Sequence, residues 1–553
     1  MPLAAVRSFW SSSKRSQYSL SVNSTRLSGV FVKKVARPCF CAEYLSGFDG
    51  GARWTSFARY SRHASPPPHW KDRAGQPAAD RVLLAVAPAA YWLSFFVEKI
   101  KYVIIGAGPT GLGAAYRFTE LGEKSFLILE KSNRVGGLAS SYRDPAGFTW
   151  DVGGHVHFSH YRYFDEALAK VLPEENWSTF QRQSWVWIKN RFVPYPFQYN
   201  IRHLPRSSQW RCLRGIWKTW WQQSSIPARN FEEWIFRSFG EGIAREFLLA
   251  YNFKVWGHPL SHMSYGWIGE RVSVVSPWRV TRNVLCRLDD LSWGPNSTFR
   301  FPKKGGTGAV WKAFAGGIEG CNIRMEETVA AVHPREKSIT LASGRGIEYD
   351  YLLSTIPMDL LTQMIVGLPD RILSAAKRLA HSTSHIVGVG LEGKLPEILQ
   401  GKSWMYFPED DCPFYRVTAF SNYSSHHTPD PARFWSLLTE TSESPYKRID
   451  RKTLVDETIK GLMNTRLITS EKEVVSTWSF TADYGYPIPT VDREDILETL
   501  FPALETFGIY SRGRFGAWRY EVSNQDHSFM QGVEWANKVV LGSPERVLAP
   551  LNP

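Results

Sequence analysis

The sequence predicts an α/β fold: a nucleotide-binding βαβ domain made of discontinuous segments, a helical insertion domain and an antiparallel β-sheet domain. Three observations predict it. A strand–glycine turn–helix–strand succession occupies residues 102–130, helical periodicity runs through residues 204–270, and short β-rich runs between turns occupy residues 404–441. The 553 residues exceed one small module at ~100–200 residues per domain, which implies two to four packed units. With 43% hydrophobic and 21% charged residues the chain can bury a core, so a disordered class is excluded. Six cysteines, at 39, 41, 212, 286, 321 and 412, are too few and too scattered for a disulfide scaffold. The Cys39-x-Cys41 pair lacks a zinc spacing.

Residues 1–98 read as an extension. They carry 13 Lys/Arg against 5 Asp/Glu, so +8 of the chain's formal +14 lies in its first fifth. A basic chain invites a nucleic-acid reading, but this uneven distribution argues against one. Residues 1–42 are Arg- and Ser-rich with no acid, as in organelle transit peptides. A Pro-rich linker, Ser65–Asp80, precedes a charge-free run, Val82–Val97, of 16 residues. That is short of the ~20 needed to span a bilayer comfortably. Transit peptide, membrane anchor and a start placed too far upstream all remain open for this segment.

The βαβ unit is read from its parts. Tyr102–Ile105 is a short, apolar, β-branched run that enters GAGPTGLG, with Gly106, Gly108 and Gly111 in the G-x-G-x-x-G spacing. Leu112–Leu121 has helical periodicity, and Phe126–Leu129 is a second strand closed by Glu130. Gly106 makes the tight turn, Gly108 lets backbone approach a pyrophosphate, and Gly111 allows close helix–strand packing. The helix N-terminus beside Thr110 presents free N–H groups to phosphate, and Glu130 can accept from a ribose diol. All five parts in order within ~30 residues predict a Rossmann-like dinucleotide site. The residues beyond Glu130 favour FAD over NAD: Arg134 and a paired-glycine turn at Gly136-Gly137, then a second at Gly153-Gly154. This pattern resembles the flavoprotein group that includes amine oxidases. His155, His157 and His160 could suggest a metal, but the nearby acids Asp151 and Asp165 are poorly placed, so no metal is expected.

Eight longer strings complete the pattern: GGHVHFSHY (153–161), FVPYPFQYNI (192–201), YNFKVWGHP (251–259), GERV (269–272), WGPNSTFRFPKKGGTG (293–308), WMYFPEDDCPFYRVTAFSNYS (404–424), YGYPIPT (484–490) and RGRFGAWRYEVSNQDHSFMQGVE (512–534). In this order and spacing, from about Tyr102 to Glu545, they closely resemble the UDP-galactopyranose mutases of the eukaryotic type. The resemblance implies interconversion of UDP-galactopyranose and UDP-galactofuranose. Reduced FAD would attack the anomeric carbon through N5, and NADPH would be the electron source. The cofactor carries the hard chemistry and the protein supplies orientation and charge. The resemblance also implies a galactofuranose product destined for glycans and a cytoplasmic enzyme core. A homo-oligomer stays open, and membrane association depends on the N-terminal apolar run.

The same resemblance assigns residues. Two phosphates call for permanent cations with forked donors, and Arg271 and Arg416 take that place, with Tyr406, Tyr486 and Tyr520 as phenol donors. Tyr195 would stack on uracil, Gln198 would pair with its edge, Asn252 and Trp256 would flank the uridine, and Trp404 would line the sugar side. Asn296 is expected near galactose and His155 against the flavin. Gly137, Gly154, Arg514, Asn524, Gln525 and Ser528 would complete the FAD site, and a helix starting near Asn524 would favour the charge of the reduced ring. Arg182 and Ser184 would receive NADPH. Two departures are visible: Trp478–Asp483 is less basic than expected, and His157 stands where an aliphatic residue is expected.

The remaining elements are read from periodicity. Asn230-Phe-Glu-Glu233 reads as a capping box, and Phe231, Trp234, Ile235 and Phe239 repeat at helical spacing. Trp404–Phe407, Arg416–Tyr423 and Phe434–Thr441 read as strands. The expected organisation is residues 1–98 extension; 99–180, 291–372 and 505–553 FAD-binding; 181–200 and 373–504 β-sheet; and 201–290 helical. Loops 268–276 and 292–297 are expected to close over the ligand. A redox enzyme of the amine-oxidase type and a non-catalytic flavoprotein or nucleotide-sugar-binding module are the competing readings.

Overall fold

The computed structural model describes residues 98–549, apart from 223–225, 270–271, 273–274, 292–296 and 319. The readings on the N-terminal extension and on Cys39 and Cys41, Arg271 and Asn296 lie outside the described residues, as does most of both expected closing loops.

Strand β1, Glu98–Ile105, is followed by helix α1, Pro109–Glu120, and strand β2, Phe126–Glu130. The helix starts three residues before its periodic run because Pro109 takes the first helical position, where a missing N–H costs nothing. β1 lies between β2 and Gly346–Ser354, parallel to both, and Ile323–Met325 extends the sheet parallel to β2. Ile509–Ser511 joins Gly346–Ser354 in parallel, while Val329–His333 and Ser338–Leu341 add an antiparallel edge. The seven-stranded sheet is thus drawn from three distant stretches of chain. β2 is buried throughout and β1 from Tyr102 to Ile105, and these stretches read as near-continuous apolar runs, as a sheet covered on both faces requires.

A second seven-stranded sheet has the order Val474–Pro487, His381–Glu392, Phe434–Glu443, Arg416–Ala419, Trp404–Tyr406, Ser184–Ile188, Arg191–Pro194. It is antiparallel except where Trp404–Tyr406 runs parallel to Ser184–Ile188. The expected strand Arg416–Tyr423 stops at Ala419. Residues Phe420–Asn422 form a short 3₁₀ turn, because Phe420 swings inward to stack on His427, 4.2 Å between ring centres.

The helical insertion holds Arg206–Trp221, Phe231–Ile243, Leu249–Trp256 and Pro277–Leu285. Phe231, Ile235 and Phe239 are buried along one face of the second of these, as their spacing predicts. Only half of the expected capping box forms. Asn230 accepts from the Glu233 N–H at 2.9 Å, but the Glu233 carboxylate reaches one residue further back, to the Arg229 N–H at 2.8 Å. Glu233 also pairs with the Arg229 and Arg237 side chains, which draws it toward them. Cys212 and Cys412 are buried free thiols and Cys286 is exposed. No described helix is long and apolar enough to cross a membrane.

Candidate active site

One cleft of about 1410 Å³ runs from the C-terminal ends of β1 and β2 to the inner face of the antiparallel sheet and the helical insertion. The crevice beyond the carboxyl ends of parallel strands is where such sheets receive ligands.

The nucleotide end is built from backbone. Gly106 has φ near +103°, and the chain turns there so that its N–H bonds the Leu129 carbonyl. A Cβ on Gly111 would overlap the Gly106 carbonyl oxygen, so the turn and the helix can approach only if residue 111 is glycine. At Gly108 a Cβ would meet nothing within 4 Å: this side faces the open cleft. α1 has no side-chain cap, which leaves its first N–H groups for a ligand. Glu130 is buried and lines the cleft, pinned by the Ala107 N–H at 2.8 Å and by the Ser132 N–H and hydroxyl, both at 2.9 Å. Arg134 lies over Tyr142, 4.1 Å from the ring centre. Open backbone donors, a glycine cradle and an acid set for a diol fit an FAD diphosphate and ribose.

The C-terminal segment closes this end. The helix Gln525–Leu541 packs across α1 where Gly532 meets the Thr110 carbonyl and Gly113 meets Phe529; either glycine given a Cβ would collide with backbone. Asn524, Gln525 and Ser528 line the cleft at the start of that helix, and Gln525 accepts from the Trp311 indole at 2.7 Å. Arg514 donates to the Gly485 carbonyl and, at 3.0 Å, to Ser523 Oγ, with its guanidinium 5.0 Å from the Tyr486 ring. It therefore stands between the flavin segment and the tyrosine wall.

That opposite wall is built from side chains. Arg416 faces Glu440 across paired strands, Nε to Oε1 and Nη2 to Oε2, both 2.7 Å. Glu440 also accepts from the Tyr415 hydroxyl at 2.9 Å and the Gly154 N–H at 2.9 Å. Burial alone would raise the Glu440 pKa. The Arg416 charge and these bonds outweigh it and hold the carboxyl below its ordinary value. Arg416 is held firmly protonated: burial opposes its charge and Glu440 restores it. Glu440 lies outside the eight strings, and Tyr415 lies inside one of them beside Arg416 but is given no role by it. The one sequence signal for Glu440 is a lone acid inside the β-rich run Phe434–Thr441.

Around this pair the rings converge. Tyr195 meets Tyr406 at 5.4 Å, Trp256 meets Tyr520 at 4.9 Å and Tyr486 at 5.6 Å, and Tyr486 meets Tyr520 at 5.8 Å. Burial raises the phenol pKa of Tyr195, Tyr406 and Tyr486, so each stays a hydrogen-bond donor. Asn252 lines the cleft while its amide donates to the Leu248 carbonyl, and the Trp404 indole donates to the Gly154 carbonyl at 3.2 Å. Arg182 lines it too, 6.0 Å from the Tyr195 ring centre.

Three of the expected residues stand behind the wall. Gln198 and Ser184 are buried and do not line the cleft, and Gly111 supports the turn from behind.

The histidine segment crosses between the two walls. His155 lines the cleft. Its Nδ1 is buried with no partner among the described residues, and burial lowers its pKa to about 4, so the ring is neutral near pH 7. His157 is fixed by reciprocal backbone bonds to Arg300, and its ring meets the Trp177 edge. The three histidines do not converge. The group that does is His160, Asp526 and His527, in which Asp526 accepts from both rings, at 2.7 and 3.1 Å.

Known proteins match this arrangement. The family model described as "Flavin containing amine oxidoreductase" matches residues 109–509. A crystal structure of reduced UDP-galactopyranose mutase superposes with a TM-score of 0.79 at 45% identity, covering 82% of this chain and 96% of that one. A fatty acid isomerase from P. acnes shares the fold at a TM-score of 0.54 and 12% identity, over 80% of this chain and 99% of that one. Among curated proteins, an L-amino acid oxidase of Cerastes cerastes is 36% identical over 92 residues, 16% of this chain and 18% of that protein. An FAD-dependent oxidoreductase, dbaF, of Emericella nidulans is 33% identical over 95 residues, 17% and 20% of the two chains. The chain thus spans about a fifth of the length of these curated relatives. The broad family match begins at Pro109, the first residue of α1, and runs through both sheets to Ile509. The chain belongs to the flavin-containing amine oxidoreductase family and, within it, to the UDP-galactopyranose mutases.

Proposed function

We propose that the chain is an FAD-dependent isomerase that interconverts UDP-galactopyranose and UDP-galactofuranose. The observation that carries this reading is the Arg416 guanidinium, set among Tyr406, Tyr486 and Tyr520 across the cleft from the glycine cradle. A redox enzyme acting on an amine has no use for a permanent cation ringed by phenol donors, whereas a diphosphate does. FAD, when bound and reduced, would supply a nucleophilic nitrogen for the anomeric carbon. The residues hold everything else in place. Gly106, Gly108 and the start of α1 would hold the flavin's diphosphate and Glu130 its ribose. Tyr195 and Trp256 would hold uridine, and Arg416 with the tyrosines would keep the departed UDP in place until the sugar recloses. Neutral His155, which lines the cleft with its Nδ1 unpartnered among the described residues, would offer a nitrogen able to accept or donate a proton there. Arg182 is proposed to dock the phosphate of NADPH, the expected reductant, and the product is proposed to feed galactofuranose-containing glycans.

The test uses the full chain, FAD-loaded, with UDP-galactofuranose. Formation of UDP-galactopyranose only after dithionite or NADPH reduction is the expected result. Flavin-loaded, UDP-binding protein that converts nothing overturns it in favour of the redox reading. Arg416→Ala should weaken UDP binding at least about tenfold with FAD retained; equal loss of both ligands overturns the assignment of this arginine.

A further inference from the structure

The helix Arg206–Trp221 has two unlike faces. Its inner face carries Ser208, Cys212, Gly215 and Ile216, and it crosses Phe231–Ile243 with backbones almost touching. A Cβ on Gly215 would lie 2.8 Å from the Gly242 nitrogen. That contact turns the other face outward. Trp210, Arg214, Trp217, Lys218 and Trp221 recur there at positions three and four apart, so they form one stripe.

Pro277–Leu285 packs alongside and adds Trp278 to the stripe. Trp217 is the hub. Its ring centre is 4.5 Å from Trp278, 5.6 Å from Trp220 and 5.5 Å from Trp221, and its indole donates to Thr281 Oγ1 at 3.0 Å. These residues line a shallow groove of about 880 Å³ on the outside of the helical insertion. The outer rings are strongly exposed: Trp210 69%, Trp221 73% and Trp278 65%. A cluster of exposed rings this large marks an interaction surface.

The charge around it has one sign. The helix Arg206–Trp221 holds Arg206, Arg211, Arg214 and Lys218 with no acid, and Pro277–Leu285 holds Arg279 and Arg282 with no acid. Arg211 pairs with Glu246 and Arg279 with Asp290. Arg214 and Lys218, which line the groove between the tryptophans, form no ion pair with a described residue. Symmetric self-association would set this patch against its own copy, cation against cation. Tryptophan rings beside unpaired cations instead match the headgroup region of an anionic bilayer. Indoles settle at the boundary between water and acyl chains, and Lys/Arg meet phosphate and carboxylate groups.

We propose that this face docks the protein on the surface of an anionic lipid membrane, with Trp210, Trp221 and Trp278 inserted at headgroup depth and Arg214 and Lys218 against the headgroups. The groove shares no lining residue with the cleft.

The test is co-sedimentation of the full, FAD-loaded chain with phosphatidylcholine vesicles with and without about 30% phosphatidylserine, at two salt concentrations. Binding to the anionic vesicles that falls with salt is expected. The variant Trp210→Ala/Trp221→Ala/Trp278→Ala should lose about tenfold or more in partition, and Arg214→Glu/Lys218→Glu about as much, both with flavin absorbance intact. Because the full chain is used throughout, binding contributed by residues 1–97 is common to all variants. Equal binding by the wild type and both variants overturns the proposal. So does an absence of vesicle binding together with a dimer that the tryptophan variant converts to monomer, which would assign the face to a second copy.

Discussion

On one side of the cleft the groups presented to a ligand are main-chain: the turn at Gly106, the open approach at Gly108 and the uncapped start of α1. On the other side they are side chains, and the central one, Arg416, is held by a buried carboxylate that also ties down Tyr415 and the Gly154 N–H. In the backbone wall an added Cβ collides at Gly106 and Gly111, and at Gly108 it would take up open cleft, since the function of this wall is space. The side-chain wall tolerates no subtracted partner, since its function is compensated charge. Glu440 joins the two, because one of its oxygens reaches across to Gly154, the glycine segment that precedes His155.

Four substitutions probe this contrast. The largest effect is expected of Gly111→Val, which drives a branched side chain into the Gly106 carbonyl. Flavin retention after gel filtration should vanish, and a variant that keeps its yellow colour would defeat the claim that the first wall works by exclusion. Glu440→Ala comes next. It leaves the half-buried Arg416 uncompensated and should cost about 3 kcal/mol, measured by denaturant unfolding. A near-neutral result would mean that water replaces the carboxylate. Tyr415→Phe removes one bond to that carboxylate and should cost about 2 kcal/mol, with UDP affinity reduced less than by Arg416→Ala.

The smallest effect is expected of His157→Leu, because backbone bonds rather than the ring hold this residue. Burial lowers the His157 pKa from 6.5 to about 3, so the unfolded chain binds the proton more readily than the folded one. The contribution is absent above the unfolded value and grows as a penalty while pH falls from 6.5 toward 3. The leucine variant should therefore gain about 1 kcal/mol relative to wild type near pH ~5.5 and little near pH ~7.5. Parallel pH profiles for the two proteins would show that the ring is not the titrating group.

The contrast also explains which parts of the molecule could be read from the sequence. The nucleotide wall is contiguous: strand, turn, helix, strand and acid fall between Tyr102 and Glu130, and each has a local physical reason. The second wall is long-range. Arg416 finds Glu440 through strand register, and Glu440 finds Gly154 from 286 positions away. No local pattern encodes that meeting, so Arg416 was identifiable by family resemblance while its partner was not. Periodicity located the buried face of Phe231–Ile243 but could not say that Arg416–Tyr423 would break at Phe420, because that break depends on His427 lying beneath it. Aromatic composition was least informative. Trp256 is buried at the ligand wall and Trp150 in the core, yet Trp210 and Trp221 face outward, and only the Gly215 helix crossing decides which way that helix turns.

The order in which the central sheet is made bears on when the protein can take up flavin. Its middle strand, Gly346–Ser354, has β1 on one side and Ile509–Ser511 pairing at its end, and α1 is sealed by the helix Gln525–Leu541. As the chain emerges from the ribosome, β1 and the glycine turn are present hundreds of residues before the segments that complete their pocket. A vectorial synthesis that folds early units first must therefore leave the flavin cradle half-built until translation is almost finished. Flavin capture is then a late event in the life of each molecule, and a chain truncated after Ser511 would leave α1 without the helix that seals it.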